Sequence, residues 1–298
     1  MTRRVVIGGA LALVLIYGLA FAVRNAQVAA NVSQQGGGPQ LLFTSASWLI
    51  WAALFAGLLA AGFTSRTGPR IEGERVLRHD DVAIFEHWAN AAATVILIVS
   101  GFALGALMLP RFVSGTLQTG IALDIHFIGS ALFAFAATYY VANALLSGRW
   151  REHIPADWGA SVREAIAHYR AVLGKSEPPA ADKYFASEHL SYPIAVIAAG
   201  ALLLTGLVKV AAYSVAVPGA LMGVTTIIHG IAAIALVVFF VAHLIATAIL
   251  PSSWPLLRSM ATGYVSADYA RKHHKAWFDE LTGPGEDGGQ PGTDRQVA

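Results

Sequence analysis

The chain contains no cysteine. Disulfides, thiolate zinc sites and cysteine-ligated iron–sulfur clusters are therefore excluded within it, and any metal must be held by histidine or carboxylate. Charge is scarce as well. Asp, Glu, Lys and Arg together make up 13% of the residues, where an ordinary soluble domain has about a quarter. So few charges cannot cover a water-facing surface. With 56% apolar residues and a mean hydropathy of +0.57, the composition is that of a multispanning membrane protein. The net charge of +2 is too small, and its basic residues too scattered, for a nucleic-acid-binding surface.

What is present is a series of long apolar runs. Six segments, 5–23, 41–63, 88–109, 125–146, 190–212 and 223–250, are long enough to cross a hydrocarbon core about 30 Å thick. All are expected to be helices, because lipid-facing backbone must satisfy its own hydrogen bonds. The first follows Arg3 and Arg4 and ends in Ala20-Phe21-Ala22, so it reads either as a retained helix or as a signal peptide with a cleavage site. An N-terminus on the inside puts 17 of the 20 Lys and Arg in inner segments; the exceptions are Arg24, Arg111 and Lys209, the last able to snorkel. The positive-inside rule then orients every span, with the C-terminus cytoplasmic, and losing the first would leave the other five unchanged. The inner loop 147–189 contains "HIPADWGASVREAIAHYRAVLG", which predicts an amphipathic surface helix. The tail 252–281 is aromatic and basic, suited to the headgroup zone, and 282–298 has nothing apolar to bury and is expected to be disordered. No segment outside the spans is large enough for a catalytic domain.

The ten histidines fall into two sets. His79, His153, His168, His189, His273 and His274 lie in or beside polar segments and are expected at the surface. His87, His126, His229 and His243 lie in or at the ends of spans, where polar side chains are costly and usually functional. His229 and His243 stand fourteen residues apart in "IIHGIAAIALVVFFVAHLI", close to four helical turns. They therefore share a face and are separated by about 21 Å. On the topology above, His126 and His229 occupy the outer level and His87 and His243 the inner one. Two pairs at two depths are what two bis-histidine haems stacked across a membrane require, since neutral imidazole is a strong ligand of haem iron. Gly101 and Gly206 are candidates for packing against a flat ring, or simply against a neighbouring helix. A zinc site would want carboxylates at the same level, and only Glu86 and Asp124 are near, both at predicted helix ends. A haem-free anchor or proton-path transporter is the alternative of a different class. A transporter would favour broken helices and carboxylates near the midplane.

The segments "FEHW", "LDIHFIG", "KYFASEHLSY", "LLLTGLV", "IIHG", "VAHLI" and "GYVSADYARKHHKAWFDEL" resemble the cytochrome b (gamma) subunit of membrane-bound formate dehydrogenase over about residues 76–281. The spaced pair on the last span is shared with the cytochrome b of nickel–iron hydrogenases, so it specifies only the wider dihaem superfamily; the "KY" segment and the tail tilt toward formate dehydrogenase, with hydrogenase or another molybdoenzyme as the alternative. The resemblance implies an all-α membrane protein: an N-terminal extension over 1–75, a four-helix dihaem core over 76–251, and the tails 252–281 and 282–298. It implies two haems b, the outer ligated by His126 with His229 and the inner by His87 with His243. It also implies a complex with an iron–sulfur subunit and a molybdenum- or tungsten-containing catalytic subunit in the bacterial cytoplasmic membrane, and leaves open a higher oligomer. Electrons would pass outer haem to inner haem to menaquinone or ubiquinone. The quinone pocket implied by the resemblance falls on Tyr184, Phe185, Ser187, Glu188 and His243. There the family commonly has Asn, Gly and Gln after the "KY", whereas this chain has Phe185, Ser187 and Glu188. Phe cannot hydrogen-bond a quinone carbonyl, and Glu can do so only when protonated.

Overall fold

The computed structural model describes residues 2–34, 41–105, 110–155, 157–172 and 181–283; the tail expected to be disordered lies outside these from 284 onward. Eleven α-helices occur among the described residues: α1 (Thr2–Gln34), α2 (Leu42–Ser45), α3 (Trp48–Gly62), α4 (Asp81–Leu104), α5 (Gly115–Leu146), α6 (Trp158–Val172), α7 (Ala186–Ala211), α8 (Gly219–Leu244), α9 (Trp254–Thr262), α10 (Ala267–His273) and α11 (Lys275–Thr282). Five stretches are long and apolar enough to span a membrane: Ala12–Gln34, Asp81–Leu104, Gly115–Leu146, Ala186–Ala211 and Gly219–Ile249. The chain is an all-α membrane protein with a small sheet attached.

The second expected span is corrected. Residues 41–63 do not form one helix but break at Ala46–Ser47, where Thr44 and Ser45 turn their hydroxyls back to the Leu41 carbonyl. The remaining α3 has 15 residues, a rise of about 22 Å, short of the hydrocarbon thickness. It is pressed onto α5 instead. A Cβ at Gly57 would overlap the Phe135 carbonyl and the Thr138 hydroxyl, so only glycine allows this approach. The first segment is longer than expected. It runs past Ala20-Phe21-Ala22 to Gln34 and lays the buried stripe Ala22, Ala26, Ala29 and Ala30 along its packed side. Asp124, expected at a helix end, sits ten residues into α5 and is 0% exposed. Asn25 Nδ2 donates to it at 2.8 Å and the Leu42 backbone N–H at 2.9 Å. A buried carboxylate is tolerable only when so satisfied, and this one ties α1 and α2 to the core.

The α4 helix begins earlier than the apolar run, at Asp81, because Asp80 caps it by accepting the Ala83 N–H at 2.8 Å. Arg66 braces this inner end through Asp80 and Glu86, both at 2.9 Å. The amphipathic α6 forms as expected, and α8 relaxes into a π turn at Ile245–Ile249 just after His243. Helices α4 and α5 pack closely, as do α7 and α8; the contact between the two pairs runs through α5 and α7 and is slight.

The tail, expected in the headgroup zone, folds back onto the loop before α4. Strands β1 (Arg70–Glu72), β2 (Arg75–Leu77) and β3 (Tyr264–Ser266) form an antiparallel sheet in the order β1-β2-β3, with Val76 opposite Val265. Val76, Val265, Ala270, Trp277 and Phe278 bury one another beneath it. The aromatic face of the tail is therefore packed against the segment that leads into α4, at the end expected to be the inner one.

Candidate functional site

The four intramembrane histidines fall at two levels. At the outer level, His126 on α5 contacts Ser100 on α4 (Nδ1···Oγ, 2.9 Å), and His229 on α8 contacts Thr205 on α7 (Nδ1···Oγ1, 2.8 Å). Each hydroxyl has one proton. Ser100 gives its proton to the Ile96 carbonyl at 2.6 Å and Thr205 to the Ala201 carbonyl at 2.5 Å. Both must then accept from the imidazole, so Nδ1 carries the hydrogen and Nε2 keeps a free lone pair. Beside each hydroxyl is a glycine. A Cβ on Gly101 would lie 3.7 Å from His126 Cε1, and one on Gly206 would lie 3.9 Å from His229 Cε1. The Cε1 corner of each ring thus lies against glycine backbone. His126 and His229 are within electrostatic reach of each other.

At the inner level, the rings of His87 on α4 and His243 on α8 lie 6.1 Å apart between centroids, tilted by 49°. A metal ion bound to one nitrogen of each ring, about 2 Å from either, fits within that separation. Trp88 stands edge-on to His87 at 5.2 Å and Phe239 stacks on His243 at 5.9 Å. Among the described residues no group of three or more His, Asp or Glu is gathered as a metal cage. Two imidazoles per level suit a metal whose other positions are filled by a macrocycle.

The residues named for a quinone are only partly brought together. Glu188 lies in the electrostatic surroundings of His243, but its Oε2 accepts the Phe185 N–H at 2.7 Å and so caps α7. Phe185 turns away toward the tail, its ring 4.4 Å from His168 and 4.6 Å from His274. Tyr184 stands between His153, at 4.7 Å, and the Arg78 guanidinium, at 5.6 Å. Ser187 is half-buried in the first turn of α7.

Two histidines expected at the surface are buried, because the folded tail covers them. His79 is 9% exposed and His274 is 0% exposed. His274 Nδ1–H donates to the Asp182 carbonyl at 2.7 Å, and its Nε2 accepts from Arg78 Nη1 at 3.3 Å. Burial first, and then the Arg78 charge, push its pKa down to about 3. Sequence reasoning also missed Ser100 and Thr205. The signal was there in the dipeptides Ser100-Gly101 and Thr205-Gly206, a hydroxyl and a glycine repeated on two spans.

Compared with known proteins, the chain matches the family model of prokaryotic cytochrome b561 over residues 78–263, a stretch running from just before α4 to the end of α9. It includes all four intramembrane histidines and both hydroxyl–glycine pairs. No curated protein matches the sequence. The paired imidazoles, the glycine-lined faces and a match over more than half its length agree: the chain belongs to the prokaryotic cytochrome b561 family, membrane cytochromes that bind haem b and transfer electrons.

Proposed function

We propose that the chain is the membrane electron-transfer subunit of a respiratory formate dehydrogenase, carrying two b haems stacked across the bacterial cytoplasmic membrane. His126 and His229 ligate the outer haem; His87 and His243 ligate the inner one. Bound haem would supply a one-electron iron couple, held between the two imidazoles of each level. The residues do the rest. Ser100 and Thr205 hold the outer imidazoles in the ligating tautomer. Gly101 and Gly206 leave space for the ring, and the apolar stretch between His229 and His243 keeps water from the path. An iron–sulfur subunit, itself fed by a molybdenum or tungsten catalytic subunit, delivers electrons at the outer level. A quinone receives them near His243, Tyr184 and Glu188 at the cytoplasmic side.

The observation that carries the haem part of this reading is the repeated hydroxyl–imidazole contact beside a glycine at one level, together with the 6.1 Å imidazole pair at the other; the formate dehydrogenase partner rests on the sequence resemblance. A reduced-minus-oxidised spectrum of the purified chain tests it: b-type bands with two haems per chain are expected, and their absence would sink it. Mass spectrometry of co-purifying subunits tests the donor. Recovery of a hydrogenase large subunit instead of a formate dehydrogenase would reassign the complex and leave the haem arrangement standing.

A further inference from the structure

Beyond the two hydroxyl dipoles at the outer level stands one charge. Lys209 lies four residues after Thr205 on α7, and Thr226 lies three residues before His229 on α8. Both spacings return to the same face of a helix. The Thr205–His229 contact is therefore followed, about one turn or 5.4 Å further out, by a second link between the two helices. There Lys209 Nζ donates to Thr226 Oγ1 at 2.9 Å. The same ammonium is within electrostatic reach of both outer imidazoles, His229 on α8 and His126 on α5. It thus acts on the pair and not on a single ring.

The fold favours a cation at this place. Lys209 occupies the last turn of α7, where the carbonyl end of the helix dipole attracts positive charge. It is half-buried beside the exposed Thr226, and a lysine stem can lie along apolar surface with its ammonium in a more polar zone. The inner pair has no counterpart. Among the described residues no Lys or Arg is in electrostatic reach of His87 or His243, and the charged neighbour of His243 is the carboxylate of Glu188. Reducing ferric iron removes one positive charge from the metal. A fixed cation nearby therefore favours the ferrous form, more strongly in a low-dielectric interior than in water. We infer that Lys209 raises the reduction potential of the outer haem and leaves that of the inner haem unchanged. This rests on the haem reading above. One electron from the iron–sulfur subunit turns the outer iron from ferric to ferrous, and Lys209 makes that arrival more favourable.

The test is a potentiometric titration of the b haems in the full chain in lipid nanodiscs, with the outer haem identified as the one that His229→Ala lacks. Lys209→Gln removes the charge and keeps a hydrogen-bond donor for Thr226; Lys209→Arg keeps both. Lys209→Gln should lower the ferrous-to-ferric ratio of the outer haem about tenfold at fixed potential, about 59 mV for one electron. Lys209→Arg should stay close to wild type, and the inner haem should not move in either variant. If Lys209→Gln does not fold, acetylation of the wild type decides the matter. Chains shown by peptide mass to be acetylated at Lys209 should lose the same tenfold, and Lys209→Arg treated alike should not. An unmoved outer midpoint in a two-haem Lys209→Gln protein, or in the acetylated wild type, would assign Lys209 to snorkelling into the headgroups and overturn the inference. Equal shifts of both haems would overturn it too. A wild type that binds no haem defeats the functional reading; two haems with an unmoved outer midpoint defeat this inference alone.

Discussion

The outer and inner histidine pairs lie in different surroundings. The outer imidazoles are each held by a neutral hydroxyl on the neighbouring helix, in the residue just before a glycine. Among the described residues no side chain is hydrogen-bonded to the imidazole of His87 or His243; Thr247 Oγ1 donates only to the His243 carbonyl, at 2.7 Å. Aromatic rings flank them instead, and a rim of ionisable groups, Arg78, His79 and Glu188, lies beyond. The outer pair is thus preorganised by dry, fixed dipoles, which suits a centre that only takes and passes electrons. The inner pair borders charge and polar loop, which on the proposed function suits a centre that hands electrons to a reaction involving protons.

The comparison can be broken most directly by removing one ligand. His229→Ala should delete the outer haem and leave the inner one, giving one haem per chain in a folded, inserted protein; loss of both would end the pairing by level. Next in size is the hydroxyl. Thr205→Val leaves His229 Nδ1–H unpaired and should weaken outer haem binding about 10–100-fold, with the inner haem unaffected, as read by haem retention during dilution. Gly206→Leu should follow. Filling the space beside His229 Cε1 costs about 1–3 kcal/mol, roughly tenfold or more in outer haem affinity. An unchanged affinity would mean that the glycine serves helix packing only.

The smallest effect sharpens the inner side. His274 has a folded pKa of about 3 against an ordinary 6.5. Between those values the undocked tail takes a proton that the docked tail refuses, so docking is fully present above 6.5 and weakens as pH falls. The slope is at most about 1.4 kcal/mol per pH unit. The protection factors of the β3 amides, exchange corrected for its intrinsic pH dependence, should fall from pH 7 to 5, and His274→Gln should flatten that dependence. The amides of the outer half of α5 should show no matching change.

Much of this was legible from one dimension. Long apolar runs must be helices in lipid, and a fixed rise per residue turns the positions of His87, His126, His229 and His243 into depths. The two glycines were noticed for the same reason. Their hydroxyl neighbours were not, because a Ser or Thr inside a span usually satisfies itself on the preceding turn, and only the three-dimensional contact reveals that it also accepts from an imidazole. The break in residues 41–63 was hidden because Ser and Ala do not interrupt apolarity, although Ser disfavours helix interiors. Asp124 seemed terminal because polar residues precede the apolar stretch, yet α5 begins ten residues earlier and buries it against Asn25 and the Leu42 N–H.

By itself the sequence determined the class, the approximate spans and the two levels of histidine, since all three follow from composition, length and helical rise. The tertiary structure alone decided which hydroxyl steers which imidazole, where α3 is pressed, and that the tail returns to bury Arg78 and His274. Strands of three residues carry no readable period, and the pairing of Val76 with Val265 joins positions far apart in the chain. Such contacts depend on how the helices have already packed, and no local pattern encodes that.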